Sequence, residues 1–154
     1  MRAGERGFTL VWCLAAVAAA GVGLAALGPL WETAMQRERE QELLRIGHLY
    51  AQAIASYKQA SPGTRKEYPT SLQDLLLDTR HLSTRRHLRT LYTDPMRPGQ
   101  PLSALTDAQG RIYGVRSDST AKPLLRFAAS AELEIPATGA QRYGDWTFIA
   151  QETP

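Results

Sequence analysis

Phe8-Thr9-Leu10-Val11-Trp12-Cys13-Leu14-Ala15-Ala16-Val17-Ala18-Ala19-Ala20-Gly21-Val22-Gly23-Leu24-Ala25-Ala26-Leu27-Gly28-Pro29-Leu30-Trp31 runs for 24 residues without a charge. As a helix rising about 1.5 Å per residue it would be roughly 36 Å long, enough to cross a ~30 Å hydrocarbon core with some tilt. The run decides how everything after it is read. A chain that begins this way is expected to be tethered to a membrane. Ahead of the run stands a short charged leader, Met1-Arg2-Ala3-Gly4-Glu5-Arg6-Gly7.

A removed secretory signal is the competing reading. Such signals have an apolar stretch of about 7–15 residues and then a small-residue cleavage site. Here the stretch is longer and ends in Gly28-Pro29-Leu30-Trp31-Glu32, with no polar region before a small-x-small site. Trp31 suits an aromatic anchor at the membrane interface. The sequence therefore favours a retained helix. For orientation, Arg2 and Arg6 lie before the run, and Arg37 and Arg39 follow it closely. Counting Lys and Arg gives a weak bias. The tiny leader and large following domain favour a cytoplasmic N-terminus and a C-terminal body across the membrane.

Beyond the run, residues 32–154 suffice for one small domain with its own core. The net charge of +3 is modest and demands no polyanionic partner. The single cysteine, Cys13, lies in the apolar run, so no intramolecular disulfide is available. Leu43, Ile46, Tyr50, Ala53 and Tyr57 recur at spacings of three and four, with Leu49 and Ile54 beside them, as on the buried face of an amphipathic helix. Before them Glu32, Arg37, Glu38, Arg39, Glu40 and Glu42 suit a solvated helix surface. Ser61-Pro62-Gly63 ends this helix near Ala60.

Thr70 or Ser71 caps a short helix; Thr70 and Gln73 fit a capping box, and Leu72, Leu75 and Leu76 supply its apolar face. A second short helix is expected over residues 84–91, with Leu88 and Leu91 inward, before Asp94-Pro95. Strands are expected at 111–116, 123–128 and 146–150, the last being aromatic and β-branched. The fold class is thus α+β: a long N-terminal helix, then a small domain with a short antiparallel sheet. The chain divides into a leader (1–7), a membrane helix (8–31), a helical extension (32–60) and the remaining α+β part (61–154).

The residue pattern points away from catalysis. His81 and His87 flank Arg85 and Arg86, and neighbouring positive charge disfavours their protonation. His48 lies far back on the long helix, and no cysteine is near to complete a metal set. No phosphate loop or dinucleotide motif occurs. The stretch from Arg80 to Arg97 carries Arg80, Arg85, Arg86, Arg89 and Arg97 against the single acid Asp94. It reads as a solvated face or a subunit contact. DNA capture is the rival use, and the small overall charge argues against a nucleic-acid partner.

Gly7-Phe8-Thr9-Leu10-Val11 resembles the processing site of type IV pilins and of the pseudopilins of type II secretion systems. In that family a prepilin peptidase cuts after the glycine and methylates the new N-terminal residue, leaving the apolar helix in the mature protein. Pro29 falls 22 residues into the resulting chain, where many pilins carry a helix-bending proline. Tyr68-Pro69-Thr70-Ser71-Leu72 and Leu91-Tyr92-Thr93-Asp94-Pro95-Met96 resemble segments of major pseudopilins. The likeness reaches from the leader to about residue 96. It implies a pilin-like fold anchored in the bacterial inner membrane, with the C-terminal domain in the periplasm. It implies a prepilin peptidase, other pilin-like subunits and an inner-membrane assembly platform as partners, and no cofactor.

Some major pseudopilins bind calcium in a loop near the C-terminal sheet. Asp118 and Asp145, with Ser117 and Ser119, are the nearby oxygen donors here, fewer than the six to eight oxygens calcium takes. One departure from the family stands out. The fifth mature position, usually a glutamate in polymerising members, is Trp12. That glutamate is thought to pair with a neighbour's N-terminal amine, which Trp12 cannot do. The resemblance then implies a minor, tip or initiating subunit. A DNA-binding minor pilin and an unrelated single-pass periplasmic binding domain remain the alternatives.

Overall fold

A computed structural model of the chain describes residues 5–25, 28–126, 132–136 and 138–151, with the backbone alone at 5–7, 22–25 and 28–30. Two compact units are present, residues 1–37 and 38–154. The first holds helix α1 (Glu5–Ala25) and the start of helix α2 (Gly28–Gln59). Ala, Leu and Val dominate α1, and its interior has no proline to break it. Among the described residues no helix is long and apolar enough to cross a membrane. The expected span over 8–31 includes residues 26 and 27, which lie outside the described residues. Pro29 lies in α2, just after residues 26 and 27, so the expected bend there falls outside what the described residues settle.

In the second unit, the face of α2 read from the sequence is the core. Leu43, Ile46, Tyr50, Ala53, Ile54 and Tyr57 are all buried. The helix stops at Gln59, where Ser61-Pro62-Gly63 begins, and Gly63 takes the left-handed conformation that glycine tolerates. A four-stranded antiparallel sheet, in the order β1-β2-β4-β3, supplies the other side of the core. Its strands are β1 (Ser103–Thr106), β2 (Ile112–Arg116), β3 (Leu133–Glu134) and β4 (Thr147–Ile149). Register sets Leu133 beside Phe148 and Phe148 beside Val115, so three apolar side chains share one buried row. The neighbouring row of Glu134, Thr147, Arg116 and Ser103 is polar, as the two-residue period of a half-covered sheet requires.

Gly47 fixes where α2 meets this sheet. A Cβ built there would overlap the ring of Phe148. Gly47→Ala would gain about 1 kcal/mol in helix propensity. The overlap opposes it, and we expect a net loss of stability within the ~1–3 kcal/mol range of core overpacking. Denaturant melts of the two proteins check this. A more stable alanine variant would show that Phe148 moves aside freely.

Two expected elements are corrected. Residues 84–91 are not helical. Asp78 and Arg85 form an antiparallel bridge, and the amides of His87 and Leu88 both donate to the Leu75 carbonyl at 2.9 Å, which pulls the backbone out of helical pairing. Leu88 is nevertheless buried, while Leu91 is half-buried. Residues 123–126 form no strand, because the amides of Leu124 and Leu125 turn to the Glu40 carboxylate. Phe127 and Ala128 lie outside the described residues. The short helix expected after Tyr68-Pro69 is present as a 3-10 helix, Leu72–Leu75, with Ser71 as its N-cap, and only the capping-box partner differs. Its start is held by Asp74, not Gln73, since Asp74 Oδ2 accepts from the amides of Thr70 and Ser71 at 3.0 and 2.9 Å.

Candidate functional site

The processing residues lie at the start of α1. Gly7 is within the helix and Phe8 follows it. Phe8, Leu10, Val11, Trp12, Leu14 and Val17 are between 62% and 71% exposed, so the helix presents apolar side chains with no partner in its own unit. Cys13 is exposed among them. Trp31 is 70% exposed. A helix apolar all round has nothing to bury against except lipid or other helices.

The two downstream segments that resemble pseudopilins do structural work. Pro69 is fully buried and gives its carbonyl to the Ile112 amide at 2.7 Å, joining the segment to β2. The Tyr50 hydroxyl accepts from the Tyr92 amide at 3.0 Å. Asp94 is buried, and its carboxylate accepts from the Met96 amide at 2.9 Å and the Ser117 hydroxyl at 2.6 Å. A buried carboxylate needs such donors, and Asp94 thereby ties the Asp94-Pro95 turn to the end of β2.

The arginine-rich stretch separates into two kinds of residue. Arg80 turns inward: its Nε and Nη2 donate to Asp78 at 2.9 and 2.8 Å, and its Nη1 donates to Ser61 at 2.9 Å. Its guanidinium also stacks 3.5 Å over the Tyr57 ring. Arg97 lies 3.5 Å from Asp118. Arg85, Arg86 and Arg89 are exposed, and none makes an ion pair among the described residues.

Sequence reasoning missed what surrounds Asp78. That carboxylate is fully buried, and His87 Nε2 lies 3.2 Å from it. A carboxylate can only accept, so Nε2 donates to Asp78, and Nδ1 lies 2.8 Å from the Ser56 hydroxyl. The order Ser56, His87, Asp78 is that of a nucleophile, base and orienter. Two features distinguish it from an acyl-transfer triad. Arg80 already neutralises Asp78, and the amides following Ser56 lie inside α2, committed to carbonyls four residues back, so none is free for an oxyanion. The array clamps the loop after Leu75 onto α2. The hydrogen bonds of Arg80 hold the Asp78 carboxyl well below the usual carboxylate range, against the opposing effect of burial.

Glu40 was also read as a solvated charge and is not one. It is 6% exposed, and its Oε1 accepts from the Tyr143 hydroxyl at 2.9 Å and the Leu124 amide at 2.6 Å. Its position could have been found: it lies three residues before Leu43, on the same helical stripe.

The residues named for calcium do not converge. Asp118 faces Arg97 and Arg116 at 3.5 and 3.6 Å and accepts from the Ser103 hydroxyl. Asp145 accepts from the Gln141 and Arg142 amides and from Arg142 Nε. Ser117 is turned to Asp94. Guanidinium groups thus fill the places beside both carboxylates, and the set does not fit a cation that takes oxygen ligands. Among the described residues no group of three or more His, Cys, Asp or Glu side chains is placed to hold a metal. Comparison with protein-family models, curated proteins and solved structures finds no match to the chain.

Proposed function

We propose that this chain is a pilin-like subunit of pseudopilin class, serving a type II secretion or type IV pilus machine in the bacterial inner membrane. The observation that carries the reading is α1: six large apolar side chains stand outward on a helix that directly follows a charged leader. Such a surface needs a bilayer or neighbouring helices to cover it. In this reading the anchor is the whole run from Phe8 to Trp31. A prepilin peptidase cuts before Phe8, and the helix holds the subunit in the membrane. An assembly platform then draws it into a bundle of similar helices. The α+β unit lies on the periplasmic side and selects neighbours. The subunit is moved by assembly and is not an enzyme.

Trp12 narrows the role. A carboxylate in a low-dielectric bundle would attract a neighbour's amine strongly, and an indole offers no such attraction. The subunit therefore belongs at a tip or initiating position, where no partner above requires that contact. Crosslinking in the native host from a photoreactive residue placed beside Trp12 tests this. We expect low-copy crosslinks to other pilin-like subunits. Abundant self-crosslinks at filament spacing, unchanged in Trp12→Glu, would contradict the minor role.

A further inference from the structure

Arg85, Arg86 and Arg89 lie within one five-residue stretch, at most about 14 Å from end to end. All three are exposed and without an ion pair among the described residues. The loop that carries them is fixed from beneath. Asp78 bridges to Arg85 through the backbone, and Arg80 and His87 both hold the Asp78 carboxylate. Fixed side-chain bases lower the ordering cost of binding. Arg89 borders an open recess of about 350 Å³ whose walls mix the apolar Leu49, Ala53, Leu88 and Tyr92 with the polar Gln52, Ser56 and His87. Leu82 is fully exposed and Leu77 is 52% exposed on the same loop.

We propose that this loop and recess form a docking surface for an acidic segment of a partner protein, one that carries a bulky apolar side chain among its carboxylates. The arginine forks pair with carboxylates, and the apolar side chain fills the recess. Arginine and tyrosine are among the residues that most often dominate protein–protein contacts. A nucleic-acid duplex fits less well. Duplex binding rests on phosphate contacts, and phosphates leave the Leu49, Leu88 and Tyr92 side of the recess unfilled. The proposal stands on the 38–154 unit alone and does not depend on the pilin-like reading.

The test uses the full-length chain in neutral detergent at low salt. The probe is a fluorescein-labelled decapeptide with two leucines set among glutamates, read by anisotropy. Saturable binding is expected. Combined Arg85→Gln, Arg86→Gln and Arg89→Gln should weaken it at least ~10-fold, as should exchanging the peptide's leucines for serine. Combined Arg86→Glu and Arg89→Glu should transfer binding to the same peptide with lysines in place of glutamates. This exchange is a gain that a misfolded variant cannot give. The proposal is overturned if the glutamate peptide fails to bind at millimolar concentration, or if its binding ignores the arginine and leucine changes. It is equally overturned if a mixed-sequence DNA duplex or phosphatidylglycerol vesicles bind more tightly through the same three arginines.

Discussion

Trp146→Ala is expected to destabilise the 38–154 unit by ~3–5 kcal/mol, the range for removing a buried indole. Trp146 is fully buried where the turn at Tyr143–Asp145 hands the chain to β4. Its ring meets Tyr143 edge to face, with centroids 5.3 Å apart. Alanine would leave a cavity in the core beside Tyr143, where that turn joins the sheet. The indole Nε1 is buried and has no hydrogen-bond partner among the described residues. Packing therefore holds this side chain, and Trp146→Phe, which keeps a ring and removes the orphan donor, should cost less than ~2 kcal/mol. Urea melts followed by circular dichroism measure both. A loss below ~1 kcal/mol for Trp146→Ala would mean that the indole is not part of the core.

Asp78→Ala should cost a similar amount, ~3–5 kcal/mol, because it strands a buried pair's other members. Arg80 would lose both guanidinium contacts to the carboxylate, and His87, 5% exposed, would lose its acceptor. The loop carrying Arg85, Arg86 and Arg89 would come loose from α2. The same group sets a pH dependence. Its pKa is lower in the folded protein than in the unfolded chain, chiefly through the Arg80 hydrogen bonds. A lowered carboxylate pKa contributes stability that is fully present above the unfolded value, about 3.9, and is lost as pH falls below it towards the folded value. Melts between pH 6 and pH 2 should show this acid limb, and Asp78→Asn should flatten it. An acid limb that persists unchanged in Asp78→Asn would assign it to other carboxylates.

Elements governed by a regular period were legible before any coordinates. Leu43 to Tyr57 repeat every three or four residues and form the buried face of α2, and the aromatic and β-branched run at 146–150 contains β4. What failed was local pattern without its distant partner. Leu88 and Leu91 are spaced like a helix, but the stretch is drawn into a bridge with Asp78. Pro123-Leu124-Leu125 looks like a strand until the Glu40 carboxylate, 84 residues earlier, takes its amides. Strand β3 has only two residues and β1 is an edge strand with alternate residues exposed, so neither carries much periodic signal. Ser56, Asp78 and His87 meet through tertiary packing, and no spacing in the sequence announces it. Phe8 of the expected processing site and Trp12 of the expected anchor are exposed on α1, while the leader before Glu5 lies outside the described residues.

The pilin-like reading stands or falls at the bond between Gly7 and Phe8. Co-expression of the full chain with a prepilin peptidase, followed by intact mass and N-terminal sequencing, tests it directly. The prediction is a mature chain that has lost residues 1–7 and begins at a methylated Phe8. A chain that still begins at Met1 under those conditions, or one cut beyond Trp31, would contradict it.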